Sequence, residues 1–299
     1  MLDVIQLSVS GTALGCVYAL IAVGFVLIYK ATGHVNFAQG EVMAMGAYLV
    51  FWFGPGGFQL PFYQAVLLAM IGAGAFMLLI ERVVIRTLAL HSHASVLMGT
   101  LGLGILIRAV LTAAFGTDMH GIGDPWGSSV VNIGGVVITL SSIFAIAVTA
   151  LIITGLTIFF RRSRYGLSIM AMSQDRIAAA ALGVNTRQLT ALVWGTAAVL
   201  AVVAGVFLSG YPRAIDPHMG LIALAAFPGA VLGGFDSING AVLGGIIIGV
   251  LQNLVAGFEA PFAGVVGQNF HVIVPWLVLV AVLIVRPQGI FGTKRVIRA

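Results

Sequence analysis

A short polar segment, residues 33–41, holds side chains that could contact a solute by hydrogen bonds. Asn36 and Gln39 lie between Gly33 and Gly40, and Glu41 directly follows Gly40. Glycines that break a helix expose backbone groups, and amide side chains add uncharged polar contacts, which is a device of solute pathways. An ordinary interfacial turn is the alternative. We interpret the segment as part of a polar pathway.

A second segment, residues 233–242, matches the first at an offset of 200 positions and contributes Asp236, Ser237 and Asn239. The matched pairs are Gly33/Gly233, Asn36/Asp236, Gln39/Asn239, Gly40/Gly240 and Val42/Val242. Corresponding interrupted helices in internal repeats often mark a substrate route. A pseudo-symmetric pathway is therefore a hypothesis, and coincidence over ten residues is the alternative.

Arg108 is a single charge about a dozen residues into an apolar run. A charge at membrane depth usually faces protein or water, and it is usually paired. Glu41 and Glu81 are the candidate partners. A tilted helix that lets Arg108 reach the interface is the alternative. We expect Arg108 to belong to the polar pathway.

Other kinds of chemistry find little support in the sequence. His91 and His93 have no carboxylate or cysteine companion, so no metal site is expected. Cys16 is the only cysteine, which excludes an intramolecular disulfide. The sequence shows no G-x-x-x-x-G-K-[ST] phosphate loop, no HExxH motif, no Ser/His pair and no paired carboxylates at membrane depth. We expect neither catalysis nor a cofactor in this chain.

The composition indicates what must position these residues. Of 299 residues 60% are hydrophobic and 8% charged, and the mean hydropathy is +1.12. Such values are typical of membrane proteins. The pattern predicts an all-α, polytopic fold of eight or nine transmembrane helices in a single domain, 1–299, with broken or re-entrant segments. The apolar runs lie near 5–29, 36–53, 62–80, 95–115, 136–160, 189–210, 219–235, 238–256 and 271–286, and the seventh is the doubtful one.

The net charge of +5 raises the question of nucleic-acid binding. The basic residues do not cluster on one face but fall in alternate loops between the apolar runs, which is the positive-inside pattern of a protein in membrane lipid. Arg213 is the one exception. We therefore expect a bacterial inner-membrane protein with a cytoplasmic C-terminus and no nucleic-acid partner. The remaining positions in the pattern are Lys30, Arg82, Arg86, Arg161, Arg162, Arg164, Arg176, Arg187, Arg286, Lys294, Arg295 and Arg298.

The 39 glycines indicate close helix packing, because small residues let helices approach in a bilayer. Small-xxx-small spacings occur at Gly11/Gly15, Gly229/Gly233, Gly240/Gly244 and Gly245/Gly249. Their crowding into 229–249 predicts a tight packing seam there.

The longest polar loop, 161–188, is predicted to be cytoplasmic and partly helical. The alanines at 178–181 favour a helix, and Gly183 can end it. Asp175 and Arg176 would keep one face of this helix exposed to solvent. A short helix on the inner membrane face is either an interfacial anchor or a docking element for a cytoplasmic partner.

Across nearly its whole length the sequence resembles the permease subunits of branched-chain amino acid ABC importers, in particular the LivH-type subunit. Where this family usually has His, the chain has Gln39. The segments that carry the resemblance are Tyr18 to Tyr29, Asn36-Phe-Ala-Gln-Gly-Glu41, Arg164-Tyr-Gly166, Ala179-Ala-Ala-Leu-Gly-Val184, Ala230-Val-Leu-Gly-Gly234 with Ser237 and Gly240, and Arg286-Pro-Gln-Gly-Ile-Phe-Gly292.

The resemblance implies an importer of leucine, isoleucine and valine. It implies a second, LivM-like permease subunit, two cytoplasmic ATPase subunits that bind ATP-Mg, and an extracytoplasmic substrate-binding protein. Similar systems carry urea, short amides or other amino acids, and a secondary transporter is a further alternative. The 166–184 region would be the segment that couples to an ATPase, through Gly166, Asp175, Arg176, Ala179 and Gly183.

Overall fold

The computed structural model describes residues 2–210, 214–259 and 268–292, and over these residues the chain is a helical bundle. One two-stranded antiparallel hairpin, β1–β2, interrupts it. The elements in chain order are α1 (Leu2–Thr32), α2 (Gln39–Phe53), α3 (Phe62–Ile80), a π-helical turn (Glu81–Ile85), α4 (Arg86–Leu88), α5 (His93–Phe115), β1 (Val130–Ile133), β2 (Val136–Thr139), α6 (Leu140–Arg162), α7 (Arg164–Gln174), α8 (Arg176–Ala181), α9 (Thr186–Ser209), α10 (Met219–Ala223), α11 (Ala226–Gly233), α12 (Ile238–Phe258), a 3-10 turn (Phe270–Val272) and α13 (Val274–Val285).

Helix α1 forms the centre of the bundle. It packs against α12, α9, α11 and α6, and every residue from 15 to 28 is buried. A helix that is apolar all round is stable only when other helices surround it. The polar segments that enter the bundle therefore have α1 as their common neighbour.

Glycines bring α1, α11 and α12 into backbone contact. A Cβ on Gly249 of α12 would lie 2.3 Å from the Cα of Gly15 on α1. A Cβ on Gly244 would lie 2.0 Å from the carbonyl oxygen of Gly229 on α11. The predicted packing seam within 229–249 is therefore confirmed, and α1 contributes its own small residues to it.

Six helices are long and apolar enough to cross a membrane, by length and composition, within the described residues. Two shorter apolar stretches, Met219–Gly233 and Phe270–Val285, accompany them, and α2 has 15 residues. The helical membrane fold with broken segments is thus confirmed, whereas the count of eight or nine spans stays a prediction.

The structure corrects one predicted helix, the apolar run at 136–160. The apolar run at 136–160 was expected to be helical throughout, but 136–139 forms β2, and α6 begins only at Leu140, where Thr139 accepts a hydrogen bond from the Ser142 amide as N-cap. The β-branched residues Val136, Val137 and Ile138 favour the strand. Arg213 and the basic residues after 292 lie outside the described residues.

Candidate functional site

The predicted amide cluster lies at the start of α2, after a break in the helix. Helix α1 ends at Thr32, Gly33 takes φ +73°, and α2 begins at Gln39. Asn36 accepts a hydrogen bond from the Ala38 amide at 3.1 Å and donates one to Gln39 Oε1 at 3.3 Å. Both amide side chains are almost completely buried.

Gln39 places the beginning of α2 inside the bundle rather than at its surface. Its Nε2 donates to the Ala197 carbonyl of α9 at 3.0 Å. A Cβ on Gly24 of α1 would lie 2.4 Å from the same nitrogen. Gly24 precedes the end of α1 by eight residues, or about 12 Å at 1.5 Å per residue. The N-terminus of α2 therefore lies inside the helical bundle, short of the end of α1, as in the discontinuous helices of transporters.

Arg108 of α5 forms an ion pair with Glu41 of α2. Its Nε donates to Glu41 Oε1 at 3.1 Å, and its Nη2 donates to the same oxygen. The Glu41 side chain is 6% exposed and that of Arg108 is 29% exposed. Of the two candidate partners, the structure thus pairs Arg108 with Glu41, whereas Glu81 pairs with Arg86 at 2.8 Å.

The second oxygen of Glu41 has no donor. Oε2 is buried and accepts no hydrogen bond among the described residues. A buried acceptor without a donor costs about 1–3 kcal/mol. The ion pair is therefore incomplete as a structural salt bridge.

Helix α10 covers this oxygen with a glycine. A Cβ on Gly220 would lie 2.5 Å from Glu41 Oε2, and a Cβ on Gly40 would lie 2.2 Å from the Gly220 carbonyl oxygen. The absence of side chains at Gly40 and Gly220 allows α2 and α10 to pack this closely. The sequence analysis singled out Gly40 but not Gly220 or Gly24, because one glycine among 39 gives no local signal of its contact.

Asp236, Ser237 and Asn239 belong to a different part of the molecule. Asp236 and Ser237 connect α11 to α12, and Asn239 lies in the first turn of α12. Ser237 caps α12 by accepting a hydrogen bond from the Gly240 amide at 3.0 Å. The three residues line a cavity of about 190 Å³ beside Lys30 and Arg161. They lie where α1 and α6 end, whereas Gln39 and Glu41 lie within the bundle.

The two polar segments thus share a local design but not an environment. Residues 33–38 and 234–237 each connect one helix to the next, and each is followed within a turn by a buried glycine. Asn36 and Gln39 are buried, whereas Asp236 and Asn239 are exposed. The pseudo-symmetric pathway stays a hypothesis.

The predicted helix in the polar loop 161–188 is present as α8, preceded by α7. Asp175 caps α8 by accepting hydrogen bonds from the amides of Ile177 at 2.8 Å and Ala178 at 2.9 Å. Gly183 follows the helix with φ +85°. Arg176 begins α8 and is exposed, whereas Ala179 is buried.

Helix α7 is attached to the end of α6 through Gly166. A Cβ there would lie 2.4 Å from the Phe159 carbonyl oxygen. Two apolar side chains of the following segment are exposed, Ile177 by 84% and Leu182 by 86%.

The sequence analysis expected no metal site at His91 and His93, and it missed one contact of His93. His93 Nδ1 lies 3.0 Å from His34 Nδ1. Burial lowers the pKa of His34, and His93 and Arg176 lower it further. The break before α2 and the start of α5 therefore meet at His34, and the charge of Arg176 at the start of α8 acts on it.

A membrane-spanning bundle with a discontinuous helix and buried polar groups defines the class: a multi-pass membrane permease. The chain belongs to the family described as "Branched-chain amino acid transport system / permease component", which matches residues 7–283. The resemblance noted in the sequence is therefore confirmed. So is the expectation of a transport subunit rather than an enzyme, because the family consists of transport permeases.

Named relatives agree with this family. The chain is 34% identical to the high-affinity branched-chain amino acid transport system permease protein BraD of Pseudomonas aeruginosa, covering 98% of this chain and 97% of the relative. It is 32% identical to the permease protein LivH of Escherichia coli K12, covering 98% and 96%.

A solved structure shows the same fold. PsaBC from Streptococcus pneumoniae in complex with Fab superposes with a TM-score of 0.50, covering 93% of this chain and 91% of that one. At 15% identity the similarity extends to the fold alone.

Proposed function

We propose that this chain is the pore-forming permease subunit of an ATP-driven importer of leucine, isoleucine and valine. One observation carries the proposal. The chain matches relatives named as high-affinity branched-chain amino acid permeases over 98% of its length at 32–34% identity. The absence of a phosphate-loop motif from the sequence agrees with ATP hydrolysis by partner subunits.

The pathway for the amino acid would run past the buried polar residues. The groups concerned are the side chains of Asn36, Gln39, Glu41 and Arg108. Polar and charged groups among apolar spans are energetically unfavourable, and a role in transport explains why they are present. Asp236, Ser237 and Asn239 would line its mouth at the arginine-rich end of the bundle. By the positive-inside pattern, that end faces the cytoplasm together with the C-terminus.

The partners would be a second, LivM-like permease subunit, two ATPase subunits and an extracytoplasmic substrate-binding protein. Family membership supports partnership with other transport components, and the proposal adds their number and kind. The loop 161–188 would contact an ATPase through α8. The exposed apolar side chains of Ile177 and Leu182 at opposite ends of that helix support this assignment.

Uptake into proteoliposomes tests the function. Vesicles holding this chain with the second permease and the ATPases receive the loaded binding protein outside and ATP inside. We expect uptake of radiolabelled leucine that requires ATP, and that isoleucine and valine inhibit but urea does not. Uptake that persists without the ATPase subunits would show a secondary transporter instead, and inhibition by urea would shift the substrate class.

Two substitutions test the coupling segment. Gly183 has φ +85° and open space around it, so Gly183→Asp strains the backbone and adds a charge at the contact surface. We expect it to abolish uptake. Gly134 of the hairpin has φ +60° and equally open surroundings, so Gly134→Asp is the matched control that adds the same strain and charge outside the loop 161–188. Equal loss in both variants would refute coupling through this loop.

Loss of apolar contact is tested at α8. We expect Leu182→Ser with Ile177→Ser to reduce leucine-stimulated ATP hydrolysis and to weaken retention of the ATPase subunits on purification. Leu90→Ser is the control, because Leu90 is 82% exposed near the same end of the bundle but lies outside the loop. Unchanged retention in the double variant would place the ATPase contact elsewhere.

A further inference from the structure

In the ion pair of Glu41 and Arg108, each side chain keeps one hydrogen-bonding atom that has no partner among the described residues. Arg108 directs Nε and Nη2 to a single oxygen, Glu41 Oε1, and no described residue accepts a hydrogen bond from its Nη1. Glu41 Oε2 accepts none either, although it is fully buried. Structural pairs of a guanidinium and a carboxylate frequently use both carboxylate oxygens, in the bidentate geometry that Arg prefers. We call these two side chains the ion-pair clamp.

The exposed side of Arg108 must face water or protein. Arg108 lies seven residues before the end of α5 at Phe115, about 10 Å at 1.5 Å per residue. Helical side chains lean toward the N-terminus of their helix, which directs this one away from the nearer membrane surface. Its side chain is nevertheless 29% exposed. Because lipid contact would be costly for a guanidinium, this flank of α5 faces an aqueous space or another chain.

Branched aliphatic surface adjoins the clamp. Ile105 and Leu101 precede Arg108 by three and seven residues, so they share its face of α5, and they are 70% and 45% exposed. On α10, Leu221 and Ile222 directly follow the Gly220 that covers Glu41, and they are 48% and 44% exposed. Exposed aliphatic side chains of α5 and α10 thus lie close to the charged groups of the clamp.

We propose that the ion-pair clamp binds the zwitterionic head group of the translocated α-amino acid. Arg108 Nη1 donates to the substrate carboxylate, and Glu41 Oε2 accepts from the substrate ammonium group. The aliphatic side chain then lies against the Ile105 face of α5. This assignment rests on the proposed function and specifies which residues recognise the class of substrate.

Helix α10 controls access to Glu41. Oε2 is closed off by Gly220, so the ammonium group reaches it only when α10 moves away. Helix α10 has five residues and lies between the turn at 216–218 and the turn at 224–225, which leaves it weakly tied to its neighbours in sequence. The structure therefore shows the clamp with its carboxylate side closed and its guanidinium side open.

Substitutions separate a binding role from a structural one. Glu41→Gln or Arg108→Gln alone leaves one buried charge without its partner, and we expect poor assembly of the importer. The double variant Glu41→Gln with Arg108→Gln removes both charges at nearly constant size. We expect it to assemble in wild-type amounts, while ATP-dependent leucine uptake falls by roughly tenfold or more. Uptake within about twofold of wild type in the assembled double variant would overturn the proposal.

Cysteine labelling of the complete importer gives a second, independent measurement. Cys16→Ser yields a cysteine-free chain, since Cys16 is the only cysteine. In that background we expect Ile105→Cys to react with a water-soluble methanethiosulfonate reagent and excess leucine to slow the reaction. Leu151→Cys is the control, because Leu151 is 73% exposed on α6 in the middle of a span-length helix. An Ile105→Cys variant as unreactive as Leu151→Cys would overturn the proposal even where the double variant fails to assemble.

The wild-type importer distinguishes the two levels of inference. If it shows no ATP-dependent leucine uptake, the proposed function fails. If it transports leucine while the double variant transports equally well, only the clamp fails and the proposed function stands.

Discussion

The single residue His34 interacts with three separate elements of the bundle, through its ring, its backbone amide and its charge. Its ring contacts His93 at the start of α5, its backbone amide donates to Thr32 Oγ1 at 3.1 Å, and the charge of Arg176 lowers its pKa from α8. A hydrogen bond between two Nδ1 atoms needs one ring to donate and the other to accept. Protonation of both rings therefore breaks the contact.

We expect stability to decrease on acidification because of His34. Its folded-state pKa lies below the ordinary 6.5, mainly through burial. As the pH falls below 6.5 the unfolded chain takes up the proton before the folded one, so the free energy of unfolding decreases until the lower folded pKa is reached. Thermal unfolding at pH 7.5 and pH 5.5 measures the effect. His34→Gln should show a smaller decrease than wild type, and His218→Gln, at an exposed histidine, should not. Equal decreases in all three would contradict this account.

Gly249 makes the closest contact between α1 and α12. We expect Gly249→Ala to lower the free energy of unfolding by about 1–3 kcal/mol, since the new methyl group would lie 2.3 Å from the backbone of Gly15. Thermal unfolding in detergent measures this. Gly102→Ala is the control on α5, where no atom lies within 4 Å, and it should change stability by less than about 0.5 kcal/mol. Similar losses in both would mean that helix approach does not depend on this seam.

Single residues were predictable where they contrast with their surroundings. Arg108, Asn36 and Gln39 are conspicuous because each is polar within an apolar stretch, and burial of a polar group demands a partner. Gly24 and Gly220 could not be found in this way. Their importance comes from atoms of distant segments, the Gln39 amide and the Glu41 carboxylate, which only the folded chain brings close.

At the scale of elements, most helices follow from the length of the apolar runs, but their interruptions do not. The break before α2 was predicted from its glycines, and the structure adds that α2 starts inside the bundle, against α1 and α9. The division of the run at 219–235 into α10 and α11 was signalled only by its doubtful length. The hairpin was missed because hydropathy alone does not distinguish a strand of β-branched residues from the start of a helix.

The attachment of α7 to α6 depends on Gly166. In Gly166→Ala a Cβ would lie 2.4 Å from the Phe159 carbonyl oxygen, so we expect α7 to be displaced and the arginines at 161, 162 and 164 to be cut faster by trypsin. Leucine uptake should decrease in parallel. Gly155→Ala, on α6 with no atom within 4 Å, is the control. Wild-type cleavage rates in Gly166→Ala would show that α7 is held by other contacts.

At the scale of the whole molecule, the positive-inside pattern predicts which end of the bundle lies in the cytoplasm. We expect a membrane-impermeant maleimide to label Ser128→Cys in intact cells and Gln174→Cys only after permeabilisation, both in the Cys16→Ser background. Ser128 precedes the hairpin and Gln174 ends α7, and both positions are exposed. The reverse result would invert the whole topology, because the two positions flank α6 on opposite sides.

The sequence predicted the membrane class and the family well, since composition and long motifs extend over the whole chain. It could not predict how the polar residues group together. Asp236 and Asn239 match Asn36 and Gln39 in sequence, yet the first pair is exposed beside Lys30 and the second is buried against α9. That difference arises from helix packing, which a local match between segments does not contain.

The central position of α1 has a consequence for biosynthesis. Helix α1 is the most enclosed of the six long apolar helices in the described residues, and its principal neighbours, α9 and α12, are synthesised later, because they begin at residues 186 and 238. Until they arrive, the glycine face of α1 is covered by lipid, which its mean hydropathy of 2.2 allows. Assembly of the bundle core is therefore delayed until most of the chain has been inserted. A truncation before α12 would leave that face permanently in lipid, where quality-control proteases or a small-residue helix of another protein could bind it.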